Sequence, residues 1–247
     1  MADGQGRERP AGKTMIPNLD SRLDLATTRL SLRRPAGHDV EGIVSIVGDW
    51  EVARRLARVP HPYGPDDARF FLDQVVPAEW VWAITLRGEN RLIGAVGLTP
   101  EGDADTAELG YWLSPAHWGR GIATEAAQAV VDFGVERLGL ARLTSGYFEN
   151  NPAPGRVLTK LGFVETDRVL CSCMAVGGNM PSVRMVLEPP SPPGTRRWQG
   201  EALTEGGFLL ELKTINSAHP SPSGEGPGVG RFRKRNGHGD APPQPLP

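Results

Sequence analysis

Strand-like and helix-like hydrophobic periods interleave from residue 29 to 187, which predicts an α/β fold of the α+β type: a mixed sheet with helices on its faces. Two stretches carry most of that prediction. Thr106–Leu113 alternates with period two, Ala107, Leu109, Tyr111 and Leu113 on one side and Glu108, Gly110 and Trp112 on the other, as a strand does. Ala126, Ala127, Val130, Val131, Val135 and Leu138 then recur at spacings of three and four, a helix stripe that Gly139 is placed to end. Between them, Pro115 closes the strand and G-R-G turns the chain.

The other elements follow in order. Residues 1–26 are polar and aperiodic and read as a flexible leader. Arg29–Arg34 alternates as a first strand; Asp39 is placed to cap a helix with Val40, Ile43, Val44 and Val47 on one face. Glu51–Val59 reads as a short second helix that Pro60 ends. Pro65, with Asp66 and Asp67, then opens a third that buries Ala68, Phe71, Leu72 and Val75. Trp80–Leu86 and Leu92–Thr99 flank the turn R-G-E-N as a hairpin, and with Thr106–Leu113 they make three adjacent antiparallel strands. After the long helix come a strand over Ala141–Phe148, a short helix over Arg156–Leu161 capped by Gly162, a strand from Phe163 to about Leu170, and a last one over Ser182–Leu187. The predicted order is β-α-α-α-β-β-β-α-β-α-β-β.

The strand–turn–helix junction is built to bind an anion. A helix start leaves backbone N–H groups without intrahelical partners and adds the positive end of the macrodipole. Gly119 and Gly121 have no Cβ to keep a phosphate from the backbone, and Arg120 between them adds charge. A lone G-x-G would more often merely turn the chain; the flanking strand and helix favour the phosphate reading. The pattern is neither G-x-x-x-x-G-K-S/T nor G-x-G-x-x-G, since Thr124 stands at the third position of the latter.

W-G-R-G-I-A resembles the acyl-CoA pyrophosphate loop, Q/R-x-x-G-x-G/A, of the GCN5-related N-acetyltransferases (GNAT), with Trp118, Gly121 and Ala123 at the defining positions. Tryptophan in place of Gln or Arg, followed by G-x-G-x-A-T-E-A, is similar to the branch that includes the ribosomal-protein N-terminal acetyltransferases. The segment N-P-A-P-G-R-V-L-T-K-L-G-F resembles that family's N-x-x-S-x-R-V-L-x-K-L-G-F, matching at Asn151, Arg156, Val157, Leu158, Lys160, Gly162 and Phe163, with Pro154 at the serine. The resemblance spans roughly Thr27 to Glu188. It implies a GNAT-like, mostly antiparallel central sheet with helices on both faces, and acetyl-CoA as co-substrate; no His/Asp/Glu spacing suggests a metal. It implies cofactor contacts from Leu113, Trp118, Gly119, Arg120, Gly121, Ile122, Ala123, Thr124 and Asn151, the Leu113 region facing the thioester oxygen with a backbone N–H.

Acetyl transfer to an amine needs a neutral nucleophile, a polarised thioester carbonyl and a stabilised leaving thiolate; positioning alone can supply ~7–11 kcal/mol. Glu108 is the candidate base, on the strand that leads to the loop and on the face opposite Leu109 and Tyr111. A salt bridge or a solvated strand charge is the competing reading for Glu108 and carries nearly equal weight. Glu125 reads as a favourable charge at a helix start. A leaving-group acid is missing from the expected places: Leu158 stands where many relatives have tyrosine, and Tyr111 and Tyr147 are donors without positional support. Asn151 contacts the cofactor arm or stabilises the turn before Pro152. Loops at 60–66, 77–80 and 171–181 are placed to choose the acceptor, a protein N-terminus or a small amine.

Composition bounds the rest. The 247 residues suit one domain with tails, 27–188 between the leader and a Pro/Gly/Ser-rich segment 189–247 expected to be disordered. Net charge is −2 and the pI is near 6.2, so no global basic field points to nucleic acid. Cys171 and Cys173 form C-S-C, poorly spaced for a disulfide and without further zinc ligands, so they read as ordinary thiols in a reducing cytosol. No apolar run approaches the ~20 residues of a membrane span, and a cytoplasmic monomer or homodimer working on acyl-CoA and an amine is expected. Two rivals stand beside that reading: a non-catalytic acyl-CoA-binding module, favoured by Pro154 and Leu158, and a nucleic-acid-associated protein acting through R-F-R-K-R at 231–235.

Overall fold

The computed structural model describes residues 23–190; the leader up to residue 22 and the Pro/Gly/Ser-rich segment from 191, with R-F-R-K-R, lie outside the described residues. Eight strands form one sheet in the order β1-β2-β3-β4-β5-β6-β8-β7. The strands are β1 Leu25–Ala26, β2 Leu30–Arg33, β3 Trp80–Leu86, β4 Leu92–Pro100, β5 Thr106–Leu113, β6 Arg142–Phe148, β7 Val164–Cys173 and β8 Gly178–Leu187. The helices are α1 Val40–Val47, α2 Trp50–Ala53, α3 Pro65–Phe70, α4 Val76–Ala78, α5 Ile122–Glu136 and α6 Ala153–Lys160. Every neighbouring pair is antiparallel except β5 and β6, which are parallel and joined by the α5 crossover.

Helices cover both faces. Trp82, Ile84, Leu98, Leu109 and Leu143 pack with Ala126, Val130, Phe133 of α5 and Leu158 of α6. Ala83, the residue after Trp82, joins Ile43, Val47, Val52 and Ala68 on the other side, as a strand's alternation requires. α5 ends at Glu136, before the Leu138 that closes its predicted stripe, and Gly139, at φ +69° in a left-handed conformation that favours glycine, lies in the turn that follows. No helix among the described residues is long and apolar enough to cross a membrane.

The structure corrects several elements. Residues 25 and 26, assigned to the leader, pair with Leu32 and Ser31 as β1. Asp39 does not cap α1 through its side chain; the carboxylate takes the Arg33 guanidinium at 2.7 and 2.8 Å and the Ala36 N–H at 2.9 Å, closing a 3-10 turn over Gly37–Asp39 instead. The second helix stops at Ala53 rather than running to Val59, although Leu56 and Val59 still pack on the core. After α3 the ladder loosens into a π turn over Phe71–Val75, because Pro77 has no N–H to continue it; the extra residue rotates Val76, not Val75, into the core. α6 begins at Ala153, three residues before the predicted start at Arg156, since prolines at the first helical turn cost no hydrogen bond. β7 and β8 run on through residues 171–173 and 178–181, so the supposed acceptor loop is largely hairpin, with its turn at 174–177.

Candidate active site

Parallel pairing of β5 with β6 ends at Glu108–Thr144, and the two strands part beyond it. At the parting, the Ser145 hydroxyl donates to Leu109 O at 2.8 Å. Ser114 N–H donates to Ile93 O, so backbone groups of even-numbered residues at this end turn to β4 and those of Tyr111 and Leu113 turn into the gap. Leu113 O is taken by the Trp118 indole N–H at 2.8 Å, which leaves the Leu113 N–H as the donor facing the gap. Trp118 thus acts on Leu113 from the loop, with the Arg55 guanidinium 5.2 Å above the indole ring.

The loop leads to the start of α5 at the mouth of that gap. Gly119 and Gly121 adopt φ +71° and +75°, left-handed conformations that strain any side-chain-bearing residue. A Cβ added at Gly119 would meet nothing within 4 Å, and one at Gly121 only Arg29 Nη2 at 3.4 Å, so the backbone is open to a ligand. The first helical bond runs from Glu125 N–H to Gly121 O, leaving the N–H groups of Ile122, Ala123 and Thr124 without helical partners. Ile122 buries its side chain in the core and offers only backbone. Arg120 is exposed, its side chain free to approach an anion while its carbonyl is held. This donor set fits a diphosphate.

What holds the carbonyl is the largest surprise. Arg29 Nη1 donates to Arg120 O at 3.0 Å, and Arg29 Nε to Glu125 Oε2 at 2.6 Å. The Arg29 N–H and the Thr27 hydroxyl both donate to Glu125 Oε1, at 2.8 and 2.6 Å. Burial alone would raise the Glu125 pKa, but these hydrogen bonds and the guanidinium hold it below its ordinary value. Glu125 is thus a clamp tying the loop to the entry of β2, not simply a charge near a dipole.

Glu108 lies on the opposite face of β5 from Tyr111. Its side chain keeps 42 % of its surface exposed, with Arg58 Nη2 at 3.4 Å. Partial burial raises its pKa above the ordinary carboxylate value; Arg58 opposes the rise, Glu101 and Glu79 reinforce it, and Arg184 opposes it. Arg58 also sits 3.7 Å from Glu79 and 3.3 Å from the Thr99 hydroxyl, all long contacts for a guanidinium. Beside Glu108, a Cβ at Gly110 would meet nothing within 4 Å, and Gly146 across the gap is exposed. Glu79, Arg58 and Arg29 were invisible to sequence reasoning because their partners lie 20 to 96 residues away.

Asn151 donates its backbone N–H to Phe148 O at 2.8 Å, closing the turn between β6 and α6, with its side chain half-buried at the same end of the gap. Leu158 is fully buried in the core, and Cys173 is buried with its sulfur against Arg54 O and Leu56 O. Neither cysteine lies on β5 or β6. Among the described residues no group of three or more His, Cys, Asp or Glu is arranged to hold a metal ion.

Comparison with known proteins bears on this arrangement. The acetyltransferase (GNAT) domain model matches residues 29–164. The uncharacterized N-acetyltransferase YoaA of Bacillus subtilis (strain 168) is 30% identical over 151 residues, 56% of this chain and 81% of that protein. A GNAT-family acetyltransferase from Bacillus anthracis shares the fold at a TM-score of 0.61 and 22% identity, over 67% of this chain and 98% of that one. RimL, a ribosomal L7/L12 alpha-N-protein acetyltransferase solved with coenzyme A, shares it at a TM-score of 0.59 and 17% identity, over 68% and 98%. With the parted strands and the glycine-opened helix of the expected fold in place, and with a family match across more than half its length, the chain belongs to the GNAT acetyltransferases.

Proposed function

We propose that this acetyltransferase moves an acetyl group from acetyl-CoA directly to the primary amine of a peptide or protein N terminus, both reactants being held together. One observation carries the reading: β5 presents an unpaired backbone edge and an anion-binding helix start on one side, and a carboxylate of raised pKa on the other. Bound acetyl-CoA supplies the activated acyl group. The helix-start N–H groups and Arg120 would hold its diphosphate, the Leu113 N–H would polarise the thioester oxygen, and Asn151 would border the pantetheine arm. Glu108 would accept the proton of the attacking amine, its raised pKa bringing it nearer the working pH of a base. Direct transfer suits a gap with no cysteine on either wall.

For the acceptor, the open floor at Gly110 and the exposed Gly146 leave room for an extended chain end rather than an enclosed small molecule. RimL, to which the fold is similar, is an alpha-N-protein acetyltransferase, an activity of the same kind. The test is a thiol-release assay of the full chain with acetyl-CoA against peptides with free or blocked N termini and against diamines and polyamines. Turnover confined to free N termini supports the reading; turnover confined to polyamines replaces the acceptor, and CoA binding without any turnover would make the chain a binding module. Glu108→Gln is expected to lower turnover with acetyl-CoA affinity unchanged. In the unmodified protein, activity should rise with pH through an apparent pKa above the ordinary ~4.3 of a glutamate, since the base works deprotonated. An identical profile in the glutamine variant would remove Glu108 from the mechanism.

A further inference from the structure

The gap between β5 and β6 needs a group to meet the departing sulfur, and the expected positions offer none: Leu158 is apolar and fully buried, and Pro154 contributes only a carbonyl. Three tyrosines occur in the chain. Tyr63 lies beside the α1–α3 core, on the other side of the sheet. Tyr147 leans over Gly155, where an added Cβ would strike its ring at 2.6 Å, and its hydroxyl donates to a carboxylate oxygen, Glu165 Oε1, at 3.1 Å. Tyr111 differs from both. Its backbone forms the wall of the gap, and its side chain crosses from β5 to the first turn of α6, where the hydroxyl stands 3.4 Å from Pro154 O. That distance exceeds the ~2.5–3.0 Å of a firm O–H···O bond, so the hydroxyl is positioned without being strongly engaged. It reaches from the opposite wall to the residue that holds a serine in the resembling motif.

Resting on the acetyl-transfer reading, we propose that the Tyr111 hydroxyl donates a hydrogen bond to the CoA sulfur as the thioester is cleaved. The amine lone pair forms the C–N bond, the C–S bond breaks with its electron pair on sulfur, and the amine proton passes to Glu108. The thiolate is met by the Tyr111 O–H and finally takes a proton from water, while protonated Glu108 returns its proton to solvent, so no net proton is gained or lost. Tyr111 donates a hydrogen bond rather than the proton itself. Burial raises the phenol pKa above its ordinary value, whereas a simple thiol such as cysteine has a pKa of about 8.5, so full transfer would run uphill.

Tyr111→Phe in the full chain keeps the ring and removes only the donor. Losing a hydrogen bond to a charged partner should cost roughly 10- to 100-fold in kcat, with KM for acetyl-CoA within about twofold. A second readout needs no turnover. By calorimetry, the unmodified protein should prefer CoA over its desulfo analogue increasingly as the thiol ionises, across pH of about 8 to 10, and the variant should lose that increase. Tyr147→Phe should keep both properties. The proposal is overturned if Tyr111→Phe retains kcat within about twofold and the same pH-dependent preference. If the unmodified protein binds neither CoA nor its analogue, the acetyl-transfer reading falls with it, a result distinct from failure of the tyrosine alone.

Discussion

Replacing Glu125 with alanine should both destabilise the domain and loosen the phosphate loop. The carboxylate accepts three hydrogen bonds of 2.6 to 2.8 Å, from the Thr27 hydroxyl, the Arg29 N–H and the Arg29 Nε, and its side chain is only 19 % exposed. Hydrogen bonds to a charged group contribute about 1.5–3 kcal/mol each when buried. Arg29, however, is half exposed, so solvent screens the ion pair, and the freed Thr27 and Arg29 donors can turn to water. A net cost of about 2 kcal/mol is the reasonable figure, a fall in Tm of about 4–8 °C for a domain of this size. The same change releases Arg29 from the loop, although its bond to Arg120 O can persist, so acetyl-CoA affinity should fall by about tenfold, 1.4 kcal/mol. The assay is thermal unfolding with and without acetyl-CoA, plus calorimetric affinity, on Glu125→Ala and Arg29→Ala. Because the folded pKa of Glu125 is depressed, its stabilisation is present above its unfolded pKa and is lost as pH falls through the folded one. Glu125→Ala should therefore show a flatter dependence of Tm on pH in that acid window. A Tm within 1 °C of the unmodified protein's, roughly a quarter of the smallest shift expected, together with unchanged affinity, would refute the clamp.

Gly121→Ala should weaken acetyl-CoA binding while leaving Glu108 in place, because φ +75° costs a side-chain-bearing residue roughly 1 kcal/mol or more and the new Cβ stands where a ligand would approach the backbone. Gly121→Glu adds a repelling charge and should abolish binding in the same titration; retained binding would move the diphosphate off this helix. Leu158→Ala removes a fully buried side chain between α6 and the sheet, and chemical denaturation should show a loss of about 2–5 kcal/mol. A loss below 1 kcal/mol, under the range for such deletions, would mean that this part of the core collapses around the gap.

The path from strand to helix start was legible because every signal in it is local. Thr106–Leu113 appears as a strand with its predicted bounds, since alternation and a closing proline act within a few residues. The α5 stripe likewise appears as a helix, although it stops at Glu136 rather than at Gly139, and the pairing of three neighbouring antiparallel strands, which needs only short turns, matches. Boundaries failed where a nonlocal or irregular contact decided them. Arg33 took the Asp39 carboxylate away from helix capping, and Pro77 shifted the third helix by a residue. β7 and β8 extended because each supplied the other's ladder.

The amino-acid order by itself determined the fold class, the strand–loop–helix with its two glycines, and the family, since these depend on period, glycine placement and motif spacing. Only the tertiary structure decided what the charged and hydroxyl side chains do. Glu125 became a clamp because β2 lies against the start of α5, and Glu108 acquired Arg58, Glu79 and Arg184 as electrostatic neighbours because loops and strands distant in the chain converge there. Tyr111 gained a position facing α6 because β5 and β6 stop pairing at Glu108–Thr144. Hydrophobic period is written residue by residue along the chain. The field and partners around a polar group are set by whichever distant segment the sheet brings to within a few ångströms of it.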